Sequence, residues 1–298
     1  MNIRWVVTPI QEGQRLDHVL RFEYGFSRRQ VIRLKKQGGV FVNGMPAPAA
    51  ARLHIGDRIQ VCVTEHLEPL LPEAIPLDIL FEDEDLLILN KPPGLVCHPT
   101  KGYPRGTLAN ALSYHWQQKG EFLPVRLVTR LDKDTSGLVL AAKTAWSHYR
   151  LSETSICKQY FGITRGIPNP PAGEIDQPIG RLQGNPHKRG VSLQGKSALT
   201  RYETAKTGDN LALVKLTPIT GRTHQLRIHM AWIGCPLLDD FMYGHEENIL
   251  GRVALHAFSL KLAHPRNKAD LEFIAPLPAD MDAVARHNNI SFEQINVR

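Results

Sequence analysis

Short apolar stretches separated by polar turns run along most of the chain, and this pattern predicts more strands than helices. Predicted strands lie at 40–42, 58–61, 85–90, 138–143, 158–164, 198–205 and 211–216, in hairpins within 173–195, and within 251–263. Strands and helices do not alternate strictly. We therefore expect an α+β fold with a mixed, mainly antiparallel sheet flanked by helices.

Helical periodicity is confined to a few segments. They are the segment around 17–22 and those at 28–37, 107–118, 145–153 and 224–232. Ser27 is a suitable N-cap for the second helix and Gly38 for its end, and Thr223 can cap the last one. In the helix at 107–118, either Tyr114 or His115 should complete the buried face.

Proline content divides the chain into parts. Residues 67–76 contain three prolines and no helical pattern, so they are typical of a semi-rigid linker. We predict a small N-terminal α/β domain at 1–66 and a larger domain at 77–298, which the length of 298 residues allows.

Composition excludes several classes of protein. No apolar run approaches the ~20 residues that a membrane helix needs, and no export signal follows the first residues. The four cysteines have no paired spacing, and the thirteen histidines form no zinc motif. We expect a cytoplasmic, monomeric protein without disulfides or a metal site.

Positive charge is concentrated near the N-terminus. Residues 1–66 carry ten Lys or Arg and five Asp or Glu, a net +5 of the chain's +7. In the helix at 28–37, Arg29, Arg33 and Lys36 share one face, while the apolar residues point the opposite way. Such a face is either ordinary solvated surface or a contact for a polyanion.

The N-terminal region resembles the S4 RNA-binding domain. The resemblance lies in the order of two helices, Gly-Gly, Val-x-Val-Asn-Gly and Gly-Asp-x-Ile within residues 1–66. It implies that the helix at 28–37 meets RNA phosphates. The side chains concerned are Arg28, Arg29, Arg33 and Lys36.

The densest polar stretch, Thr-Arg-Leu-Asp-Lys-Asp-Thr-Ser-Gly at 129–137, lies between two mostly apolar segments. A polar loop between strands is a common place for chemistry, although the same composition is typical of a plain turn. Asp132 and Asp134 are the acids of this loop.

Residues 130–138 resemble the signature of the RluA-type pseudouridine synthases, and further segments match that family in the same order. They are 90–94 with 98–99, 158–160, 221–229, 240–244, 255–257 and 264–265, all within 77–276. Thr129 departs from the family, in which many members have His at this position. That residue is not expected to react, so the departure changes little.

The resemblance implies that the N1–C1′ bond of a uridine in RNA breaks and that the uracil rejoins through C5, without a cofactor. Asp132 matches the family's catalytic carboxylate, whereas Asp134 is expected at the surface. Arg227 matches the arginine that pairs with the carboxylate, and a guanidinium can do so in bidentate geometry. Tyr160 matches the active-site aromatic, which can stack on uracil or lie near the C5 proton.

Two more arginines are expected to contact RNA. Arg130 would fill the space of a flipped-out uridine or hold its phosphate, and Arg222 would contact a phosphate. Residues 91–93 are expected to shape the loop beneath the site, and His98 is expected to have a structural role.

We therefore predict an RNA pseudouridine synthase, an isomerase of rRNA processing that acts on large-subunit ribosomal RNA without an obligate protein partner. Two alternatives stay open: a tRNA-directed synthase, and a non-catalytic RNA-binding factor of ribosome assembly. The presence of Asp132, Tyr160 and Arg227 favours an enzyme. A small-molecule hydrolase built on Asp132 and His224 lacks an accompanying oxyanion motif.

Overall fold

The computed structural model describes residues 2–62, 70–182, 185–244 and 247–290. Its N-terminal elements are β1 (Asn2–Val6), α1 (Leu16–Phe22), α2 (Arg28–Gln37), β2 (Val40–Val42), β3 (Met45–Pro46) and β4 (Arg58–Cys62). The strands form an antiparallel sheet in the order β1-β4-β2-β3, and both helices share one apolar core with it. Residues 63–66 of the predicted N-terminal domain lie outside the described ranges.

Helix α2 forms where the sequence predicts it, because both of its ends are capped. Ser27 Oγ accepts a hydrogen bond from the N–H of Gln30 at 3.2 Å, and Gly38 ends the helix at a φ of +63°. Val31 and Leu34 are buried, which confirms the predicted apolar face. The opposite face exposes Arg28, Arg29, Arg33 and Lys36.

The larger part of the chain is built on a ten-stranded sheet. Its strands are β5 (Asp78–Glu82), β6 (Leu86–Lys91), β7 (Arg126–Leu127), β8 (Ser136–Ala142), β9 (Cys157–Arg165), β10 (Ala172–Asp176), β13 (Leu199–Thr207), β14 (Leu211–Pro218), β15 (Leu255–Ala263) and β16 (Asp270–Ile274), while β11 (Ile179–Leu182) and β12 (Asn185–Val191) form a separate hairpin. The order is β10-β13-β14-β9-β15-β8-β6-β5, with β16 beside β15 and β7 beside β8. Among the described strands only β8 and β15 pair in parallel, so the mixed, mainly antiparallel sheet is confirmed.

Helices cover both faces of this sheet. They are α3 (Leu108–Gln118), α4 (Ala145–Glu153), α5 (Gln225–Trp232) and α6 (Ala279–His287). Helices α3 and α5 pack in the apolar cluster that holds Tyr160, and α6 packs in the one that holds Phe161 on the opposite face. No helix in the described ranges is long and apolar enough to cross a membrane.

Side-chain and backbone contacts join the N-terminal elements and the linker to the rest of the chain. Trp146, at the start of α4, lies in the N-terminal apolar core, and its Nε1 donates to the carbonyl of Tyr24. Residues 70–76 contain no helix or strand, and the carbonyl of Leu71 accepts a hydrogen bond from Asn110 of α3 at 2.7 Å. The linker is therefore attached along α3, although its residues 67–69 lie outside the described ranges.

The buried face of α3 differs from the prediction. Trp116, and neither Tyr114 nor His115, completes it, because position 116 is one more four-residue step beyond the buried Leu112. His115 is only partly buried, and its Nε2 lies 2.8 Å from a carboxylate oxygen of Glu82. The sequence patterns also missed β1, β5, β16 and α6.

His256 on β15 generates a prediction about pH. Its Nδ1 lies 2.9 Å from Ser136 Oγ, and burial lowers its pKa from 6.5 to about 4. As the pH falls from about 6.5 to about 4, the unfolded chain takes up this proton before the folded chain does. The free energy of unfolding should therefore fall by roughly 3 kcal/mol across this window.

Denaturant titrations at several pH values would measure this fall in the wild type and in His256→Gln. The variant should lose this part of the pH dependence, whatever its stability at neutral pH. If both proteins lose stability equally between pH 6.5 and 4, another group is responsible.

Candidate active site

A cleft of about 610 Å³ opens beside the loop before β8, strand β9 and the start of α5. It brings together Asp132, Tyr160 and Arg227, which are far apart in the sequence. Arg130 and Arg222 also line it. The cationic face of α2 does not contribute to the lining, so the predicted site residues fall into two separate groups.

The loop that carries Asp132 is anchored by the buried ammonium of Lys91. Lys91 Nζ donates to the carbonyls of Pro92, Leu95 and Lys133 at 2.8, 2.9 and 2.9 Å. Burial lowers the pKa of Lys91 to about 8, so the protonated form still predominates at neutral pH. One lysine thus ties the loop after β6 to the loop before β8, beneath the site as expected.

Further contacts hold the same loop from other sides. Cys97 Sγ donates to the carbonyl of Leu131 at 3.2 Å, and burial raises the pKa of this thiol. Arg252 Nη1 donates to the carbonyl of Asp134 at 3.3 Å, while the rest of its guanidinium binds Asp280. The backbone around Asp132 is therefore fixed on both sides of that residue.

Gly137 allows the loop to enter the sheet. Its φ is +111°, and a Cβ at this position would collide with the backbone of Ala257 on β15. Because the two backbones come so close, Gly137 and Ala257 can pair in the parallel β8–β15 ladder. The turn itself lies at Lys133 and Asp134, and β8 begins at Ser136 directly after it.

Asp132 faces two cationic or titratable side chains without a short contact to either. Its Oδ2 lies 3.5 Å from Arg227 Nη1, and its Oδ1 lies 3.7 Å from His224 Nε2. The side chain keeps 31% of its surface exposed to the cleft. Both carboxylate oxygens therefore stay accessible to a ligand.

Arg227 is held mainly by a different acid from the predicted one. Its Nε and Nη2 donate to the two carboxylate oxygens of Asp240, both at 2.7 Å, and the Asp240 side chain is fully buried. Burial disfavours the charged guanidinium, but Asp240 and Asp132 outweigh it and raise the pKa of Arg227. The prediction of a bidentate pair with Asp132 is wrong. Nε and Nη2 of Arg227 are already bound to Asp240, so only Nη1 is left for Asp132.

His224 is a site residue to which the sequence assigns no role in the predicted reaction. It is the N-cap of α5 with a φ of +56°, so the predicted cap Thr223 is wrong by one residue. Its Nδ1 lies 2.9 Å from Tyr243 Oη. Burial lowers the pKa of His224 although Asp132 opposes the shift, and the imidazole is therefore mainly neutral at pH 7.

Tyr160 forms an aromatic wall of the cleft. Its ring is 9% exposed and belongs to the apolar cluster under the cleft. Burial, with a smaller contribution from Asp132, raises the pKa of the phenol. The hydroxyl is thus protonated at neutral pH.

The rim of the cleft is cationic. Arg130 is exposed there, and Arg222 Nε donates to the carbonyl of Ser197 at 2.8 Å. Lys133 Nζ donates to Tyr103 Oη at 3.1 Å. His98 is partly buried in the lining, and burial lowers its pKa.

Comparison with known proteins gives consistent results. Residues 85–232 match the family model described as RNA pseudouridylate synthase. The chain is 37% identical over 274 residues to the uncharacterized RNA pseudouridine synthase YjbO of Bacillus subtilis (strain 168), which covers 90% of this chain and 97% of that protein. It is 36% identical over 299 residues to ribosomal large subunit pseudouridine synthase D of Vibrio parahaemolyticus. The alignment covers 93% of this chain and 92% of that protein.

Solved structures show the same similarity. Human RNA pseudouridylate synthase domain containing 4 matches with a TM-score of 0.56 and 28% identity, over 71% of this chain and 93% of that chain. Human RNA pseudouridylate synthase domain containing 1 matches with a TM-score of 0.57 and 26% identity, over 76% of this chain and 98% of that chain.

The two carboxylates near Arg227 should differ in their effect on stability. Asp240→Asn leaves a buried guanidinium without its main partner and should lower the free energy of unfolding by about 3 to 5 kcal/mol. Asp132→Asn, the matched control, should change it by less than about 1 kcal/mol, because Asp132 is partly exposed and only weakly engaged. Denaturant unfolding of both variants measures the difference. Equal losses would contradict the assignment of Asp240 as the structural partner.

Proposed function

Because the chain belongs to the RNA pseudouridylate synthase family, we propose that it modifies large-subunit ribosomal RNA and that Asp132 is its catalytic carboxylate. The chain is an RNA pseudouridine synthase. Its reaction breaks the N1–C1′ bond of uridine and forms a C5–C1′ bond within the same nucleotide. A proton leaves C5 and N1 gains one, so no other reactant is consumed. The cleft must therefore retain the detached uracil until it is rejoined.

The position of Asp132 carries this proposal. It is the one carboxylate among the described residues that line the cleft, and neither of its oxygens has a strong hydrogen bond. A carboxylate in this place can attack C1′, add to the uracil ring or assist a proton shift from the sugar. Each of these roles requires a carboxylate with an accessible oxygen beside the nucleotide, and the side chain of Asp132 keeps 31% of its surface exposed to the cleft.

Tyr160 acts on the base. Its raised pKa makes the phenolate scarce at neutral pH, so proton removal from C5 would not be efficient. The flat ring on the cleft wall can instead stack on the uracil and keep it in place while it turns. We therefore assign to Tyr160 the binding of the detached base.

Arg130 acts on the RNA helix. A uridine inside a stem reaches the cleft only after it flips out, which costs a few kcal/mol. The Arg130 side chain is exposed at the rim, two residues before Asp132, and has no ion-pair partner within the described residues. It can therefore fill the vacated space in the stem or bind the adjacent phosphate.

The relatives support ribosomal RNA as the substrate. Several proteins that are 36–37% identical over most of their length carry the name ribosomal large subunit pseudouridine synthase D. The similar Bacillus proteins carry names without a target, so tRNA is the alternative substrate. A cytoplasmic location and a monomeric state remain predictions.

The N-terminal elements form a second RNA contact in this proposal. We assign residues 1–66 to an S4-like domain whose cationic α2 face binds RNA phosphates. Two helices beside a small sheet and the exposed cations of α2 support the assignment. Because both contacts are on one chain, their affinities combine through effective concentration.

Loss of the Asp132 carboxylate should abolish modification in cells. In cells that lack the gene, pseudouridines should be missing from large-subunit ribosomal RNA, and expression of the wild type should restore them. Asp132→Asn should restore none while still binding the RNA, because the amide can neither attack nor hold negative charge. Pseudouridine mapping of total RNA measures both outcomes. Activity of the variant would refute the role of Asp132, and sites confined to tRNA would refute the proposed substrate.

Neutralising the α2 face should weaken RNA binding more than it lowers the turnover rate. The triple variant Arg29→Gln, Arg33→Gln and Lys36→Gln should raise the Kd for ribosomal RNA fragments about tenfold and lower the slope of log Kd against log salt by about 2. Turnover on a short, saturating stem-loop should change much less.

The matched control removes the same charge elsewhere. It combines Arg201→Gln, Lys261→Gln and Arg286→Gln, which are exposed cations outside the cleft and α2. If this control weakens binding as much as the α2 variant does, net charge and not the α2 face is responsible.

A further inference from the structure

Lys158 is a cleft residue that the predicted mechanism does not use. It lies on β9 two residues before Tyr160, so the two side chains extend from the same face of the strand. Both line the cleft, whereas Phe161 packs on the opposite face. Lys158 is therefore directed towards the space where the RNA must lie.

The ammonium of Lys158 has no partner within the described residues, neither a hydrogen-bond acceptor nor a carboxylate at ion-pair distance. Lys158 is partly buried, whereas the two buried lysines of the described ranges both have partners: Lys91 binds three carbonyls, and Lys143 binds Glu82 and Glu121. Burial lowers the pKa of Lys158, as expected for a desolvated amine without a counter-ion. Such an arrangement is unfavourable for the free protein.

The residues around Lys158 indicate which kind of ligand would neutralise its positive charge. Cleft-lining cations are Arg130, Lys133, Lys158, Arg222 and Arg227, and the described lining contains one carboxylate, Asp132. Within the described residues Lys158 forms no ion pair with that carboxylate, and it lies two residues from Tyr160 on β9. A ligand group that reaches Lys158 is therefore anionic and lies near the base that contacts Tyr160.

We propose that Lys158 binds a backbone phosphate of the RNA strand next to the target uridine. This inference rests on the proposed function, because it takes the cleft around Asp132 as the site of the RNA. The free protein keeps an unpaired ammonium, and the phosphate supplies the missing partner when RNA enters. Lys158 is thus a binding residue that positions the strand while Asp132 acts on the nucleotide.

RNA binding by the full-length chain tests the proposal. All variants are made in the Asp132→Asn protein, so that no turnover interferes, and the probe is a stem-loop RNA that the wild type modifies. Lys158→Met should raise the Kd about tenfold and lower the slope of log Kd against log salt by about 0.7, the share of one phosphate contact. Lys158→Arg should keep most of the affinity.

A single neutral methylphosphonate linkage, moved along the RNA near the target uridine, identifies the phosphate. At one position this linkage should weaken RNA binding to the protein that keeps Lys158. At the same position it should not weaken RNA binding to Lys158→Met any further. Lys261 is an exposed lysine on the neighbouring strand, and Lys261→Met should match the Asp132→Asn parent protein in all measurements. Thermal unfolding of Lys158→Met should occur at the same or a higher temperature, since a partly buried charge without a protein partner is removed.

Other results would overturn the proposal. An unchanged Kd and salt slope in Lys158→Met would exclude the phosphate contact, and a lower unfolding temperature with unchanged affinity would show a structural role. A weaker Kd with an unchanged salt slope would indicate a contact to the base. Turnover by Asp132→Asn itself would instead refute the catalytic assignment, which these binding measurements leave separate.

Discussion

The buried ammonium of Lys91 is the contact on which the candidate site depends. An ammonium inside a protein is tolerated only when its donors are used, and this one donates to carbonyls of two loops, at Pro92 and Leu95 and at Lys133. Because Lys133 follows Asp132, the backbone of the acid is held directly above β6. Gly137 then lets the same loop enter the sheet against Ala257. Catalysis needs groups that are already in place when the substrate arrives, and this anchoring supplies that condition.

Arg227 gives two aspartates different roles. Asp240 is fully buried and holds the guanidinium in bidentate geometry, whereas Asp132 is partly exposed and meets only the remaining nitrogen. The arginine is therefore held in place and stays charged, and it leaves both oxygens of Asp132 accessible to a ligand. The same residue type is therefore a buried ion-pair partner in one place and an accessible carboxylate in the other, according to its burial and hydrogen bonds.

Excess positive charge links the site to its polyanionic substrate. Cations line the cleft and cover one face of α2, and the partly buried Lys158 has no partner among the described residues. Free proteins seldom keep unpaired buried charge, because it destabilises the folded state. In this chain the ammonium of Lys158 lies where an RNA phosphate is expected. A group that lowers the stability of the free protein can thus increase its affinity for RNA.

Elements with local signals can be predicted from the amino-acid sequence. Helix α2 follows from Ser27 and Gly38 with buried Val31 and Leu34 between them, and the loop before β8 follows from its dense polar composition. The order of family motifs likewise singled out Asp132, Tyr160 and Arg227. The contacts between distant segments become visible only in the folded chain. They are Asp240 with Arg227, His224 beside Asp132, and Trp116 instead of Tyr114 or His115 in the core. The physical reason is that pairing and burial depend on distances between segments that the sheet brings together, and no local pattern in the sequence encodes those distances.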